Sequence, residues 1–207
     1  MAETKTIETR PQRFGRILRQ AINGEEQDFT SGSIDRAIVL LSIPMILEMA
    51  MESLFAVVDA FFVAKIGVEA VATVGLTESV LTLIYSIAIG LSAAATAMVS
   101  RRIGEGDREA AAKAGAQVIL IALVLSVLIA VPGYIFAEDI LRVMARDQSV
   151  ADVGTQFTRL MLTCNLPILL LWMLNGIFRG AGDAATAMRA LWIANAVNIV
   201  LCPLFIF

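Results

Sequence analysis

Residues 37–64 read AIVLLSIPMILEMAMESLFAVVDAFFVA, an apolar run with no basic residue, interrupted only by Glu48, Glu52 and Asp59. It exceeds the roughly 20 residues a helix needs to cross a bilayer and lacks the strict alternation of a barrel strand. Four further apolar stretches, 71–99, 114–136, 157–177 and 187–207, meet the same test. The composition agrees: 58 % of the 207 residues are hydrophobic and 17 % charged, with a mean hydropathy of +0.78, against an apolar share of about 45–50 % in ordinary soluble domains. The fold class is all-α, a polytopic helical membrane protein with about five transmembrane helices.

Outward from these spans, residues 1–32 read as a cytoplasmic tail. Phe14, Ile17, Leu18, Ala21 and Ile22 recur at helical spacing while Arg13, Arg16 and Arg19 point elsewhere, a pattern that suits an anionic membrane surface as well as a solvated tail. Ser33 and Asp35 suit the start of a helix through capping and the macrodipole, so residues 33–207 form the membrane part. Glu138 to Asp152 is polar with Ile140, Leu141, Val143 and Met144 interspersed, and predicts a short interfacial helix and loop. Pro44, Pro132, Pro167 and Pro203 lie in or at the ends of spans and permit kinks.

Basic residues set the orientation. Lys5, Arg10, Arg13, Arg16, Arg19 and Arg36 precede the first span, Arg101, Arg102, Arg108 and Lys113 lie in the second loop, and Arg179 and Arg189 in the fourth. The first loop has only Lys65, and the third has Arg142, Arg146 and the nearby Arg159. The N-terminus is therefore expected in the cytoplasm.

Several functions are disfavoured. The net charge is −3 and the basic residues form no continuous patch, so no nucleic acid partner is expected. There is no histidine, and Cys164 and Cys202 both lie in apolar runs, leaving almost no ligands for a transition metal and no nucleophile–histidine pair for an enzyme. Gly104-Glu105-Gly106-Asp107 lacks the following Lys-Ser/Thr and the preceding strand of a P-loop. Gly176 and Gly180, and the small-residue run Ser92 to Ala97, read as close-packing surfaces.

The intramembrane acids remain. At about 100° per residue Glu48, Glu52 and Asp59 fall within roughly 40° of one another on the first span. A carboxyl near mid-membrane costs on the order of 2.5–3.5 kcal/mol, so such a face predicts a water-filled path, the plainer alternative being hydrogen bonds to neighbouring helices. On the fifth span Asn195, Asn198 and Cys202 reach the outer half at the depth of Asp59, where the amides can orient a carboxylate or help hold a cation, or simply join helices. Glu78, early in the second span, lies at similar depth and lines the same cavity or the interface. A buried aspartate in such company can carry a proton, or hold a sodium ion when ionised, and so couple occupancy to conformation.

Together the chain resembles the multidrug and toxic compound extrusion (MATE) transporters, in the bacterial branch that includes DNA-damage-inducible-F-like proteins. The resemblance runs from Ser33 to Phe207 and rests on Ser42-Ile43-Pro44-Met45, Val58-Asp59-Ala60-Phe61-Phe62-Val63, Ile66-Gly67 with Ala70-Val71-Ala72, and Ile89-Gly90-Leu91-Ser92. It continues through Ser100-Arg101-Arg102-Ile103-Gly104-Glu105-Gly106-Asp107, Phe178-Arg179-Gly180-Ala181-Gly182-Asp183 leading to Met188, Asn195-Ala196-Val197-Asn198-Ile199 and Pro203-Leu204-Phe205-Ile206-Phe207.

The resemblance implies a twelve-helix transporter of two six-helix lobes in the bacterial plasma (inner) membrane, exchanging lipophilic or cationic amphiphilic compounds for H⁺ or Na⁺ by alternating access, with no cofactor beyond that coupling ion. It implies that Asp59 is the coupling carboxylate and Asn198 a partner, with Glu48, Glu52, Asn195, Cys202 and Glu78 as possible cavity-lining residues. In many relatives an aspartate stands where this chain has Cys202, which leaves the ion open. The chain is expected to be part of an N-terminal lobe that needs a C-terminal lobe or partner chain. The alternatives are an inactive or structural membrane fragment, or a relative that flips lipids or lipid-linked sugars.

Overall fold

The computed structural model describes residues 10–24, 33–145 and 148–206. Among the described residues the chain forms seven α-helices: α1 (Arg10–Asn23), α2 (Ile34–Ala64), α3 (Val68–Gly104), α4 (Arg108–Met144), α5 (Gln148–Thr163), α6 (Leu166–Gly180) and α7 (Ala184–Ile206). Helices α2, α3, α4 and α7 are each long and apolar enough to span a membrane.

The packing is that of a bilayer protein. On α4 the buried positions are mostly small, including Ala111, Ala114, Gly115, Ala122, Ser126, Gly133 and Ala137, while Leu120, Val124, Val127, Leu128, Val131 and Ile135 are exposed. Water would oppose so large an apolar surface, whereas lipid accepts it, and small residues let helices approach closely.

Helices α5 and α6 together track α3 as one broken span. The Thr77 and Thr158 hydroxyls share a hydrogen bond of 2.8 Å, Ser92 Oγ donates to the Trp172 carbonyl at 2.8 Å, and Thr96 Oγ1 donates to the Gly176 carbonyl at 2.9 Å. The sequence offset is 81 before the break and 80 after it, so register survives a bend of 40°. Gly176 and Gly180 form this seam: a Cβ added at either would lie 2.7 Å from the carbonyl oxygen of Ser92 or of Thr96. The helix breaks at Asn165, whose Nδ2 donates to the Leu162 carbonyl at 2.6 Å and the Ser126 carbonyl at 3.4 Å. Pro167 then falls in the first turn of α6, where its missing N–H costs little. Pro44, Pro132 and Pro203 lie inside continuous helices.

Two expectations are corrected. Glu138 to Met144 is not a separate interfacial helix but the last two turns of α4, held by buried Ala137 and Leu141 and an exposed Arg142–Glu138 ion pair of 2.7 Å. Ser33 does precede α2, in extended conformation, but its side chain makes no cap hydrogen bond. The basic N-terminal segment is helical over Arg10–Asn23 and docks on the bundle: Ala21 is buried and the Ile22 carbonyl accepts from Arg189 at 2.7 Å. Lys5 lies outside the described residues.

The two turns at the end assigned to the cytoplasm have one design. Gly106 (φ 78°) and Gly182 (φ 88°) adopt the left-handed conformation that glycine tolerates best. The following aspartates donate their backbone N–H to Arg102 and Phe178 carbonyls and cap the next helices, Asp107 Oδ1 accepting from Ala110 N and Asp183 Oδ1 from Thr186 N, both at 2.9 Å. Gly104 to Asp107 is therefore a helix-reversing turn. Glu105 within it accepts from Arg101 and Arg102, each at 2.9 Å, and these hydrogen bonds hold its carboxyl below the usual range.

Candidate functional site

Helices α2 and α7 run parallel, since Trp192 Nε1 donates to the Leu47 carbonyl at 3.3 Å near the middle of α2 and Cys202 Sγ, further along α7, donates to Asp59 Oδ1 at 3.8 Å further along α2. This pairing brings Asp59 to Cys202, as equal depth on the two spans requires. Asp59 is half-buried, and no lysine or arginine pairs with it among the described residues. Lys65, the basic residue nearest in sequence, lies over the Phe61 ring instead, 4.4 Å from its centroid.

The remaining expected residues separate. Glu78 of α3 is exposed and lies within electrostatic range of Asp59, so α3 adds a second carboxylate to this end of the site. Asn198, one turn before Cys202, is exposed, and no hydrogen bond joins it to Asp59. Asn195 is buried, with Nδ2 unpaired among the described residues.

The three acids of α2 share a face but not an environment. Glu48 is the most buried of the three. It is buried between helices, where Oε1 accepts from Arg179 at 2.5 Å and from Asn175 Nδ2 at 3.2 Å, both on α6. An ionised carboxylate in such a place requires a charge partner, and the guanidinium supplies one. Glu52, one turn further along α2, is exposed and has no hydrogen bond or ion pair among the described residues. The sequence marks Arg179 as an orientation signal and as part of the Phe178–Asp183 motif, not as a partner of Glu48, and gives no signal at Asn175. No spacing rule joins residues 127 and 131 positions apart.

The arrangement is thus a bundle that is small inside and apolar outside, with one acid paired to a guanidinium within it and a second, half-buried acid without a lysine or arginine partner among the described residues. It defines a polytopic α-helical membrane protein with an ionisable site between its helices. The chain belongs to the MatE family, whose model matches residues 44–204.

It is 28 % identical over 176 residues to the probable multidrug resistance protein YoeA of Bacillus subtilis (strain 168), covering 84 % of this chain and 38 % of the relative. It is 27 % identical over 178 residues to a FAD transporter of Shewanella oneidensis, covering 86 % and 39 %. Among solved structures, a MOP superfamily transporter from Pyrococcus furiosus superimposes with a TM-score of 0.81 at 32 % identity, covering 88 % of this chain and 41 % of that one. The chain spans about two fifths of the length of these relatives.

Proposed function

We propose that this chain forms part of a proton-coupled efflux antiporter of the bacterial plasma membrane, exporting lipophilic or cationic amphiphiles by alternating access, with Asp59 as the coupling group. The observation that carries the reading is the state of Asp59: half-buried, reached by a thiol, and without a positive partner among the described residues. A carboxylate locked to an arginine, as Glu48 is, has its charge already balanced. Asp59 has not, so proton occupancy changes the cost of burying it and can bias one conformation over another.

The cysteine favours H⁺ over Na⁺. A hard monovalent cation takes several oxygen ligands, and a thiol is a poor substitute for one. A proton needs only the carboxylate and a path to water. The family membership and the probable multidrug resistance relatives support the efflux direction and the amphiphilic cargo.

The test imposes pH and sodium gradients separately on vesicles carrying the intact transporter. Efflux of a fluorescent lipophilic cation should follow the pH gradient and ignore sodium, and a sodium-driven response would overturn the proton assignment.

A further inference from the structure

Three buried polar atoms without hydrogen-bond partners among the described residues lie on α7 and on two helices that pack against it: Asn195 Nδ2 on α7, Glu48 Oε2 on α2 and Arg179 Nε on α6. Glu48 and Asn195 are only 5 % and 7 % exposed. Arg179 holds the other oxygen of Glu48, and Trp192, one turn before Asn195, bonds the carbonyl of Leu47, the neighbour of Glu48. An acceptor and a donor left over on one buried ion pair, with a further donor on α7 one turn beyond the Trp192–Leu47 contact, match the hydrogen-bonding capacity of water, which buried polar groups commonly recruit.

We propose that this junction is a hydrated proton station linking Asp59 to the cytoplasmic side, an inference that rests on Asp59 being the proton-coupling group. The α2 face supplies continuity. Glu52, exposed and unpaired among the described residues, stands one turn beyond Glu48 and about two turns before Asp59. The proton leaves the Asp59 carboxyl to water, passes to the Glu52 carboxylate, and crosses the water held by Glu48 Oε2 and Arg179 Nε toward the cytoplasmic side, Glu48 staying ionised against the guanidinium. Every hop breaks one O–H bond and forms another, so no co-reactant is needed.

The charged groups that face Glu48 are Glu52 from its own helix and Arg179 from α6. Helix α7 offers the neutral Asn195, its Arg189 being turned to the Ile22 carbonyl of α1. Because Arg179 keeps the Glu48 carboxylate balanced throughout, the station orients water without itself changing charge or moving a helix.

The test uses the intact transporter in proteoliposomes with a trapped pH dye and tetraphenylphosphonium as the probe. The paired change Glu48→Gln with Arg179→Gln removes both charges together. It should keep probe binding, slow proton release on the cytoplasmic side about tenfold, and enlarge the solvent deuterium effect on that release. Asn195→Leu, which leaves the ion pair in place and removes one lining donor, should slow release as well. Wild-type release rates and isotope effects in both variants, with Asp59→Asn inactive, would overturn the station alone. Wild-type release in Asp59→Asn would overturn the underlying coupling assignment.

Discussion

The Arg179 guanidinium of α6 closes on the Glu48 carboxylate of α2 at 2.5 Å, while Asp59, further along the same face of α2, accepts from the Cys202 thiol and pairs with no lysine or arginine among the described residues. Two acids on one helix thus differ in surroundings: one is paired with a guanidinium where it is buried, and the other, half-buried, has no such partner among the described residues. Arg179→Leu should destabilise the protein by about 3–5 kcal/mol, because it strands a buried carboxylate, whereas Glu48→Met with Arg179→Met should recover most of that loss. Thermal unfolding in detergent of the two variants beside the wild type checks this. A single variant as stable as the double one would contradict it.

The seam between α3 and α6 leaves no room for a side chain at Gly176. Gly176→Ala would place its Cβ 2.7 Å from the Ser92 backbone oxygen, which cannot swing aside as a flexible side chain could. The expected cost is about 1–3 kcal/mol, read as a lower unfolding temperature. Gly75→Ala, where nothing lies within 4 Å of the added carbon, should be tolerated.

The turn at Gly104 to Asp107 should respond to acid. Glu105 has its carboxyl lowered by hydrogen bonds from Arg101 and then Arg102, so whatever order it confers is complete above its unfolded value near 4.5 and is lost as pH falls through the lower folded value. Amide hydrogen exchange over the turn, corrected for intrinsic pH dependence, should quicken below pH 4.5, and Glu105→Gln should abolish that change.

Cys202 is the point at which ion choice should be adjustable. Cys202→Asp replaces a thiol by two oxygen ligands beside Asp59 Oδ1 and, if Asp59 couples transport to protons as proposed, should add a sodium response to efflux. Substrate flux under an imposed sodium gradient reads this directly.

Much of the architecture was legible because lipid imposes a strong, local signal. Uninterrupted apolar length marked a polytopic helical membrane protein, although α4 (Arg108–Met144) runs more than a turn past the apolar stretch 114–136 at both ends, and equal depth on two spans allowed Asp59 and Cys202 to meet before any contact was known. The G-x-x-x-G of Gly176 and Gly180 and the small run around Ser92 were legible as surfaces, though not as partners. What escaped was nonlocal or compensatory. The ion pair of Glu48 with Arg179 depends on how α6 lies against α2, which no periodicity records. The break at Asn165 was hidden because the apolar stretch runs through it, and the helix ends where one amide side chain takes the carbonyl that a continuing helix would use. The polar stretch after Phe136 was misread because charge suggested a loop, whereas an exposed i,i+4 pair lets a helix continue into water.

The central claim is that Asp59 exchanges a proton for each transport event. The most direct measurement is proton movement evoked by adding a lipophilic cation to vesicles that hold the intact transporter, with Asp59→Asn compared at equal expression and equal cation binding. The account predicts that the wild type moves protons against the cation and that Asp59→Asn binds the cation but moves none. Proton movement of wild-type size in Asp59→Asn would contradict it.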